Sequence, residues 1–142
     1  MSIKNKIIIS FFILAIVALL ALVFLRAKKQ EVWIKNQKFT VEIADTDIER
    51  QAGLSGREKL CENCGMLFVF SRKGSYGFWM KGMRFNLDMI WIDGNSIAYI
   101  AKNVSYDSKE TISPEPMADK VLELDAGIAD ELNIEIGDEI NF

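Results

Sequence analysis

Histidine is absent from this chain, and cysteine and proline each occur only twice in its 142 residues. Without histidine, the common Ser-His-Asp and Cys-His arrangements cannot form, and neither can a histidine-ligated metal site. Two cysteines are also too few for a four-cysteine zinc site. With so little proline and an aromatic content of 11%, the composition excludes a disordered or collagen-like chain. The length is that of one ordinary domain.

Acidic residues are missing from the first 30 positions, which carry five lysines and arginines. Residues 7–25 form an apolar run in which Ser10 is the one polar residue. As a helix rising about 1.5 Å per residue, this run spans the ~30 Å hydrocarbon core of a bilayer. It is longer than the apolar part of most signal peptides, and no small-residue cleavage site follows it. We therefore predict a membrane anchor in residues 1–30, with a transmembrane helix at about 7–25; secretion after signal cleavage is the alternative.

The orientation of this anchor is not given by its flanking charges, which are nearly balanced on its two sides. The remaining residues, 31–142, carry 12 basic and 20 acidic side chains, a net charge of −8. Such a domain gains no attraction from the anionic cytoplasmic leaflet, and a cysteine pair suits an oxidising compartment. We expect a single-pass membrane protein with its carboxyl-terminal domain outside the cytoplasm. The negative charge also argues against nucleic acid as a partner.

Residues 31–142 have the alternating apolar pattern and turn residues of a mainly-β (α+β) domain. Short strands are predicted at 32–35, 38–44, 65–70, 77–81, 86–92, 96–104 and 120–124. Thr46 and Glu49 form a capping box that begins one short helix, and a second helix is predicted at 126–134. We expect a single compact domain, built as an antiparallel β-barrel or sandwich with two short helices.

The segment 78–81, Phe-Trp-Met-Lys, places two large side chains on each face of a predicted strand. One interpretation is a central strand covered on both sides, with Lys81 extending to solvent. The other is that Trp79 and Lys81 line a site for an anionic or sugar-like ligand. Arg50 and Arg57 flank a glycine-containing loop, where they could bind an anion or fix the loop to the sheet through acidic partners.

Asp88 is the acidic residue on a strand face that it shares with Ile90 and Ile92. Because an unpaired buried carboxylate is strongly unfavourable, we expect a cationic partner. The available partners are Lys81, Arg84, Arg57 and Arg50. Such a pair would either fix the strand register or mark a carboxylate of perturbed pKa in a ligand pocket.

Cys61 and Cys64 have a spacing that permits a disulfide, a redox dithiol or half of a metal site. A thioredoxin-like dithiol lies at a helix amino terminus, whereas this pair precedes a predicted strand. We therefore expect a local disulfide, with free thiols as the next alternative. A copper(I) site completed by nearby methionines is a further alternative, although methionine more often fills cores. We predict no resident metal or cofactor.

Four segments in a fixed order resemble domain-of-unknown-function family 192, a group of small and often exported proteins. They are VEIADTDIERQAGLSGREKL, GMLFVF, FWMKGMRFNLDMIWID and VLELDAGIADELNIEIGDEI. The resemblance extends from about Phe39 to the carboxyl terminus and implies a single mainly-β domain with a short helix after its second strand. The recurrent positions of the family correspond here to Glu49, Arg50, Gly53, Leu54, Arg57, Gly65, Met66, Phe68, Phe78, Trp79, Met80, Lys81, Leu87, Asp88, Gly137 and Asp138. The cysteine pair lies in a loop that varies among relatives, and the family has no assigned reaction.

The predicted anchor, the compact domain and the missing catalytic motifs favour a membrane-anchored ligand-binding or accessory module rather than an enzyme. It would contact the lipid bilayer through residues 7–25 and bind a small anionic or sugar-like ligand, or a protein partner. The expected ligand site consists of Arg50, Arg57, Trp79, Lys81 and Asp88. The alternative is a hydrolase- or transferase-like enzyme that uses Asp88, Lys81 and the arginines, since carboxylate and lysine chemistry needs no histidine. A soft-metal or thiol module is a third hypothesis.

Overall fold

The computed structural model describes residues 28–142, so the anchor predicted at 7–25 lies outside the described residues. The strands are β1 (Lys29–Ile34), β2 (Gln37–Ala44), β3 (Cys64–Gly74), β4 (Phe78–Trp79), β5 (Leu87–Asp93), β6 (Ser96–Val104), β7 (Thr111–Ile112), β8 (Ala118–Asp125) and β9 (Ile140–Asn141); the helices are α1 (Asp47–Ala52) and α2 (Ile128–Glu131). The prediction of a mainly-β domain with two short helices is therefore confirmed. Between residues 28 and 142, no helix has the length and apolar character needed to cross a membrane.

Seven of the strands form one curled sheet in the order β6-β5-β8-β3-β2-β1-β9, while β4 pairs with β7 in a separate ribbon. Neighbours in the large sheet are antiparallel, with the exception of β2 and β3, which are parallel. The expectation of a wholly antiparallel sheet is therefore wrong. Parallel neighbours need a crossover connection, and α1 with its trailing loop supplies it between β2 and β3.

The two edge strands of the large sheet meet at one end. Ser96, the first residue of β6, forms a β-bridge with Glu139, which directly precedes β9. The Ile97 amide donates to the Asp138 carbonyl at 2.9 Å, and the Ile97 carbonyl accepts from the Gly137 amide at 2.8 Å. These contacts hold the sheet in its curled form.

Two separate apolar clusters lie on the two faces of the sheet. Because side chains alternate along a strand, neighbouring residues of β3, β5 and β8 enter different clusters. The first cluster contains Leu67, Ile90 and Leu122 and is covered by α2, while the second contains Phe68 and Trp91. The second cluster is covered by the loop after α1 and by the segment around β4, which also contribute Leu54, Phe78, Met80 and Met83.

The strand predicted at 77–81 is shorter than expected and does not lie in the centre of the sheet. Phe78 and Met80 are buried and Trp79 is 53% exposed, so the predicted alternation of faces is present. After Met80 the chain turns, and the Met83 amide donates to the Met80 carbonyl at 3.1 Å. Gly82 in this turn has a φ of 77°, a conformation that glycine adopts without a steric penalty.

A disulfide joins Cys61 and Cys64, whose Cα atoms lie 5.2 Å apart. It closes a turn directly before β3, in which Asn63 has a left-handed φ of 54°. The Asn63 carbonyl accepts from the Thr40 amide at 2.9 Å, which fixes this turn to β2. The two sulfurs are therefore bonded to each other at the start of a strand, and not placed at a helix amino terminus as in thioredoxin-like sites.

Candidate functional site

A cavity of about 400 Å³ opens between α1, β3 and the segment that contains β4. We call it the aromatic cavity, because five aromatic side chains line it: Phe68, Phe70, Tyr76, Phe78 and Trp79. Leu54 and Met83 add further apolar surface. Pockets for small molecules typically have volumes of roughly 300–1,000 Å³ and mostly apolar walls with a few polar groups. The size and lining of this cavity are those of a small-molecule site.

The walls of the aromatic cavity are held by contacts between the rings. Phe68 and Phe78 meet edge to face with centroids 4.8 Å apart, and Phe70 stacks on Tyr76 at 3.5 Å. The indole N–H of Trp91 donates to the Tyr76 carbonyl at 2.9 Å, which fixes the loop before β4. Edge-to-face and stacked pairs are the favoured aromatic geometries. The cavity is therefore preformed by the packing of the second cluster.

Glu123 on β8 lines the same cavity and is only 4% exposed. Its partners across the sheet are Met66 on β3 and Met89 on β5, both buried and apolar. Burial is the cause that raises the pKa of Glu123 from 4.5 to about 8, and no hydrogen bond or neighbouring charge among residues 28–142 counters it. Every fully enclosed polar side-chain atom in that range has a partner, so the oxygens of Glu123 border the open cavity. The carboxyl group of Glu123 is therefore mainly protonated at neutral pH.

The position of Glu123 depends on a close approach between β3 and β8. A Cβ atom added to Gly65 would lie 2.5 Å from the Glu123 carbonyl oxygen and 2.7 Å from the Cδ2 atom of Leu124. Only glycine fits there without displacing the β8 backbone.

Glu123 was missed in the sequence, where it is a single acid in the apolar run Val121-Leu122-Glu123-Leu124. The single acid in an apolar run is the signal in the sequence, and the strand register shows that its neighbours are apolar.

Arg50 is one of the expected site residues that the structure places at the aromatic cavity. Its Nη1 donates to the carbonyls of Asp45 and Val69, each at 2.7 Å, and its Nη2 donates to the Asp47 carboxylate. Its guanidinium also lies 5.3 Å from the centre of the Phe70 ring. Arg50 therefore joins α1 to β3, and most of its hydrogen-bonding capacity is used within the protein.

Arg57 lies outside the aromatic cavity and forms a two-bond ion pair with Glu42 on β2. Both N–H···O distances are 2.7 Å, and this pair holds the pKa of Glu42 below its usual range. The parallel fork geometry is the strong form of an arginine–carboxylate contact. Of the two roles considered for Arg57, the geometry matches the structural one, in which it fixes the loop after α1 to the sheet.

Trp79 and Lys81 lie together at the surface beside the aromatic cavity. Trp79 borders both this cavity and a second one of about 610 Å³, which Lys81 lines together with Tyr106 and Lys109. Arg84, considered as a partner for Asp88, is paired with Glu58 instead.

Asp88 is fully buried on the opposite face of the sheet from Glu123. Its Oδ1 accepts from the backbone amide of Asn103 at 2.8 Å, and its Oδ2 accepts from that of Ala129 at 2.7 Å. The prediction of a shielded carboxylate is confirmed, but the prediction of a cationic partner is wrong. Two amide dipoles satisfy the carboxylate, and they join β6 and α2 to β5.

Of the five expected site residues, Arg50 and Trp79 line the aromatic cavity, whereas Arg57, Lys81 and Asp88 do not.

No group of three or more cysteine, aspartate or glutamate side chains in residues 28–142 is arranged to hold a metal ion.

The fold and the cavity together define a small mainly-β domain with a site of small-molecule size. The model of the DUF192 family, described as "Uncharacterized ACR", matches residues 27–142. The chain therefore belongs to this family, as its sequence resemblance indicates. Among proteins of curated function, none matches this chain significantly.

Two solved structures share the fold. One is a candidate transcription regulator from Sinorhizobium meliloti 1021, with 30% identity and a TM-score of 0.78 over 81% of this chain and 94% of that one. The other is a protein of unknown function from Novosphingobium aromaticivorans DSM 12444, with 25% identity and a TM-score of 0.74 over 80% of this chain and 85% of that one. In both, nearly the whole relative corresponds to the domain described here.

Proposed function

We propose that this protein is a ligand-binding module, tethered to the membrane by residues 7–25, that takes a small molecule into the aromatic cavity. The carboxyl group of Glu123 carries the proposal. Polar groups inside native proteins nearly always form hydrogen bonds, whereas the carboxyl group of Glu123 has no bond to a side chain among residues 28–142 and faces the cavity. A perturbed carboxyl group in a cleft is a typical mark of a functional site. A ligand that enters the cavity could form a hydrogen bond with this carboxyl group.

Binding is better supported than catalysis. The enzyme hypothesis needs Asp88 together with Lys81, but Asp88 is enclosed by two backbone amides and Lys81 is exposed beside a different cavity. Among the residues that line the aromatic cavity, Glu123 is the buried acid, and the second carboxylate, Asp47, is exposed and bound to Arg50. The structural relative from Sinorhizobium meliloti is described as a transcription regulator. A regulator could use such a cavity to sense a ligand. Direct contact with DNA by residues 31–142 is disfavoured by their net charge of −8.

A thermal-shift screen of small molecules on a fragment of residues 28–142 tests the binding role. We expect hits that raise the melting temperature of the wild type and lose at least about half of that shift in Trp79→Ala, which removes one wall of the cavity. Trp33→Ala is the matched control, because Trp33 on β1 is similarly exposed, at 43%, and borders neither cavity. Hits that depend equally on both tryptophans would argue against the aromatic cavity as the site.

The membrane tether is proposed from the apolar run at 7–25, with the domain outside the cytoplasm. The disulfide between Cys61 and Cys64 supports an oxidising compartment. We expect the full chain to stay in the membrane fraction after an alkaline carbonate wash, which removes peripheral proteins. Recovery of a mature protein that begins near residue 27 would instead favour a cleaved signal and secretion.

A further inference from the structure

We propose that the ligand of the aromatic cavity is an organic cation, with an ammonium group placed against the carboxyl group of Glu123 and an apolar body against the aromatic rings. This inference rests on the binding function proposed above and adds the chemical class of the ligand. It is carried by the side chains that surround Glu123, by the rings of the cavity wall and by the fixed contacts of the nearby cations.

No cation among residues 28–142 is paired with Glu123 to compensate its charge when it is ionised. On β3 and β5, the residues beside it are Met66, Phe68 and Met89, which carry no charge. The other titratable groups that line the cavity are Asp47 and Arg50 from α1 and Tyr76 from the loop before β4. Arg50 is bound to Asp47 and to two carbonyls, and the Tyr76 hydroxyl donates to the Arg72 carbonyl at 2.6 Å. A bound ammonium ion would supply the missing opposite charge.

Aromatic rings favour the same class of ligand. The face of an aromatic ring carries partial negative charge, so cages of several rings bind alkylammonium groups. Phe68, Tyr76, Phe78 and Trp79 all line the cavity together with Glu123. The excess of acidic over basic groups in residues 31–142 also attracts cations over longer distances. The second arginine, Arg57, is paired with Glu42 outside the cavity and is not available for an anion.

Binding of the cation would release one proton. Before binding, the carboxyl group of Glu123 is mainly protonated at neutral pH. When the ammonium ion binds, this proton passes to solvent and the carboxylate pairs with the ligand. Below pH 8, the ionised fraction of a carboxyl group with a pKa of about 8 rises about tenfold per pH unit. The affinity for the cation should rise in the same proportion between pH 6 and pH 7 and level off above pH 8.

Three probes that share a phenylethyl body test the charge preference: phenethylammonium, 2-phenylethanol and 3-phenylpropionate. They are titrated calorimetrically into the full chain in lipid nanodiscs, with empty nanodiscs as the blank, in buffers of different ionisation enthalpy. At pH 7 we expect phenethylammonium to bind at least about tenfold more tightly than 3-phenylpropionate, with release of close to one proton. In Glu123→Gln the proton release and the pH dependence should disappear, and the affinity for the cation at pH 8 should fall about tenfold or more.

Glu131→Gln is the control, because Glu131 is an exposed residue of α2 that does not border the cavity. Retained binding of 2-phenylethanol to Glu123→Gln would show that the variant keeps its cavity. Stronger binding of the alcohol or the acid than of the ammonium ion, or cation binding without proton release, would overturn the inference and leave the proposed binding function standing. If no probe binds at millimolar concentration, the inference is overturned, while the thermal-shift screen decides the proposed binding function separately.

Discussion

Replacement of Asp88 by alanine is expected to lower the free energy of unfolding by about 3–5 kcal/mol, since each buried donor left without a partner costs roughly 1–3 kcal/mol. The variant would remove the acceptor of the Asn103 and Ala129 amides, of which the Ala129 amide lies in the fully buried core. It would also remove the hydrogen bond that joins α2 to β5. Urea unfolding of residues 28–142 measures the loss directly as a shift in the transition midpoint.

Asp88→Asn separates the two amides from the loss of volume. The asparagine oxygen can still accept a hydrogen bond from one amide, but its NH₂ group faces the other donor. We therefore expect a free energy of unfolding between that of the wild type and that of Asp88→Ala. Asp107→Ala, at an exposed loop position, should change stability by less than about 0.5 kcal/mol. An Asp88→Ala domain that melts within one or two degrees of the wild type would contradict the role given to this carboxylate.

The domain is expected to lose stability as the pH rises from about 5 to about 8, opposite to the trend for carboxylates in ion pairs. The folded state raises the pKa of Glu123 from 4.5 to about 8, so it binds a proton that the unfolded chain has already released. The stabilisation of the folded state by protonated Glu123 is fully present below pH 4.5 and is lost as the pH rises through about 8. At about 1.4 kcal/mol per pH unit, the total is on the order of 4–5 kcal/mol.

Glu123→Gln should remove most of this slope, because the amide cannot ionise. At pH 8 the variant should be more stable than the wild type by several kcal/mol, and at pH 5 nearly equal to it. Burial also raises the pKa of Asp125, so Asp125→Asn is measured in parallel to separate its smaller contribution of the same sign. The pKa values of Glu42, Asp45 and Glu49 are lowered, and these groups act below this window. A wild type whose stability is flat between pH 5 and pH 8 would show that Glu123 is solvated.

The parts of the fold that depend on neighbouring residues were predictable from the sequence. The Thr46–Glu49 capping box is present at the start of α1, and the Asp93-Gly94-Asn95 turn joins β5 to β6 as predicted. The parallel pairing of β2 and β3 was not predictable in this way. It brings together strands separated by a helix and a long loop, and nothing in the local pattern of either strand distinguishes a parallel neighbour from an antiparallel one.

The candidate site was predictable only in part, for the same reason. Asp88 could be placed on an apolar face from the alternation of β5, but its partners are backbone amides 15 and 41 residues away in sequence, which side-chain types do not indicate. Glu123 was overlooked because its environment is set by register. Only the pairing of β8 with Met66 and Met89 shows that a glutamate lies between two apolar neighbours.

The meeting of the two sheet edges has a consequence for self-association. Exposed edge strands are templates onto which another chain can add a strand, and this leads to aggregation. Here the start of β6 is bonded to the segment before β9. Near the other end of β6, the side chains of Lys102 and Asn103 bind Asp130 of α2. In copies of this domain that come close together, the start of β6 is therefore already bonded within the chain, and the side chains near its other end obstruct the addition of a strand from a neighbour.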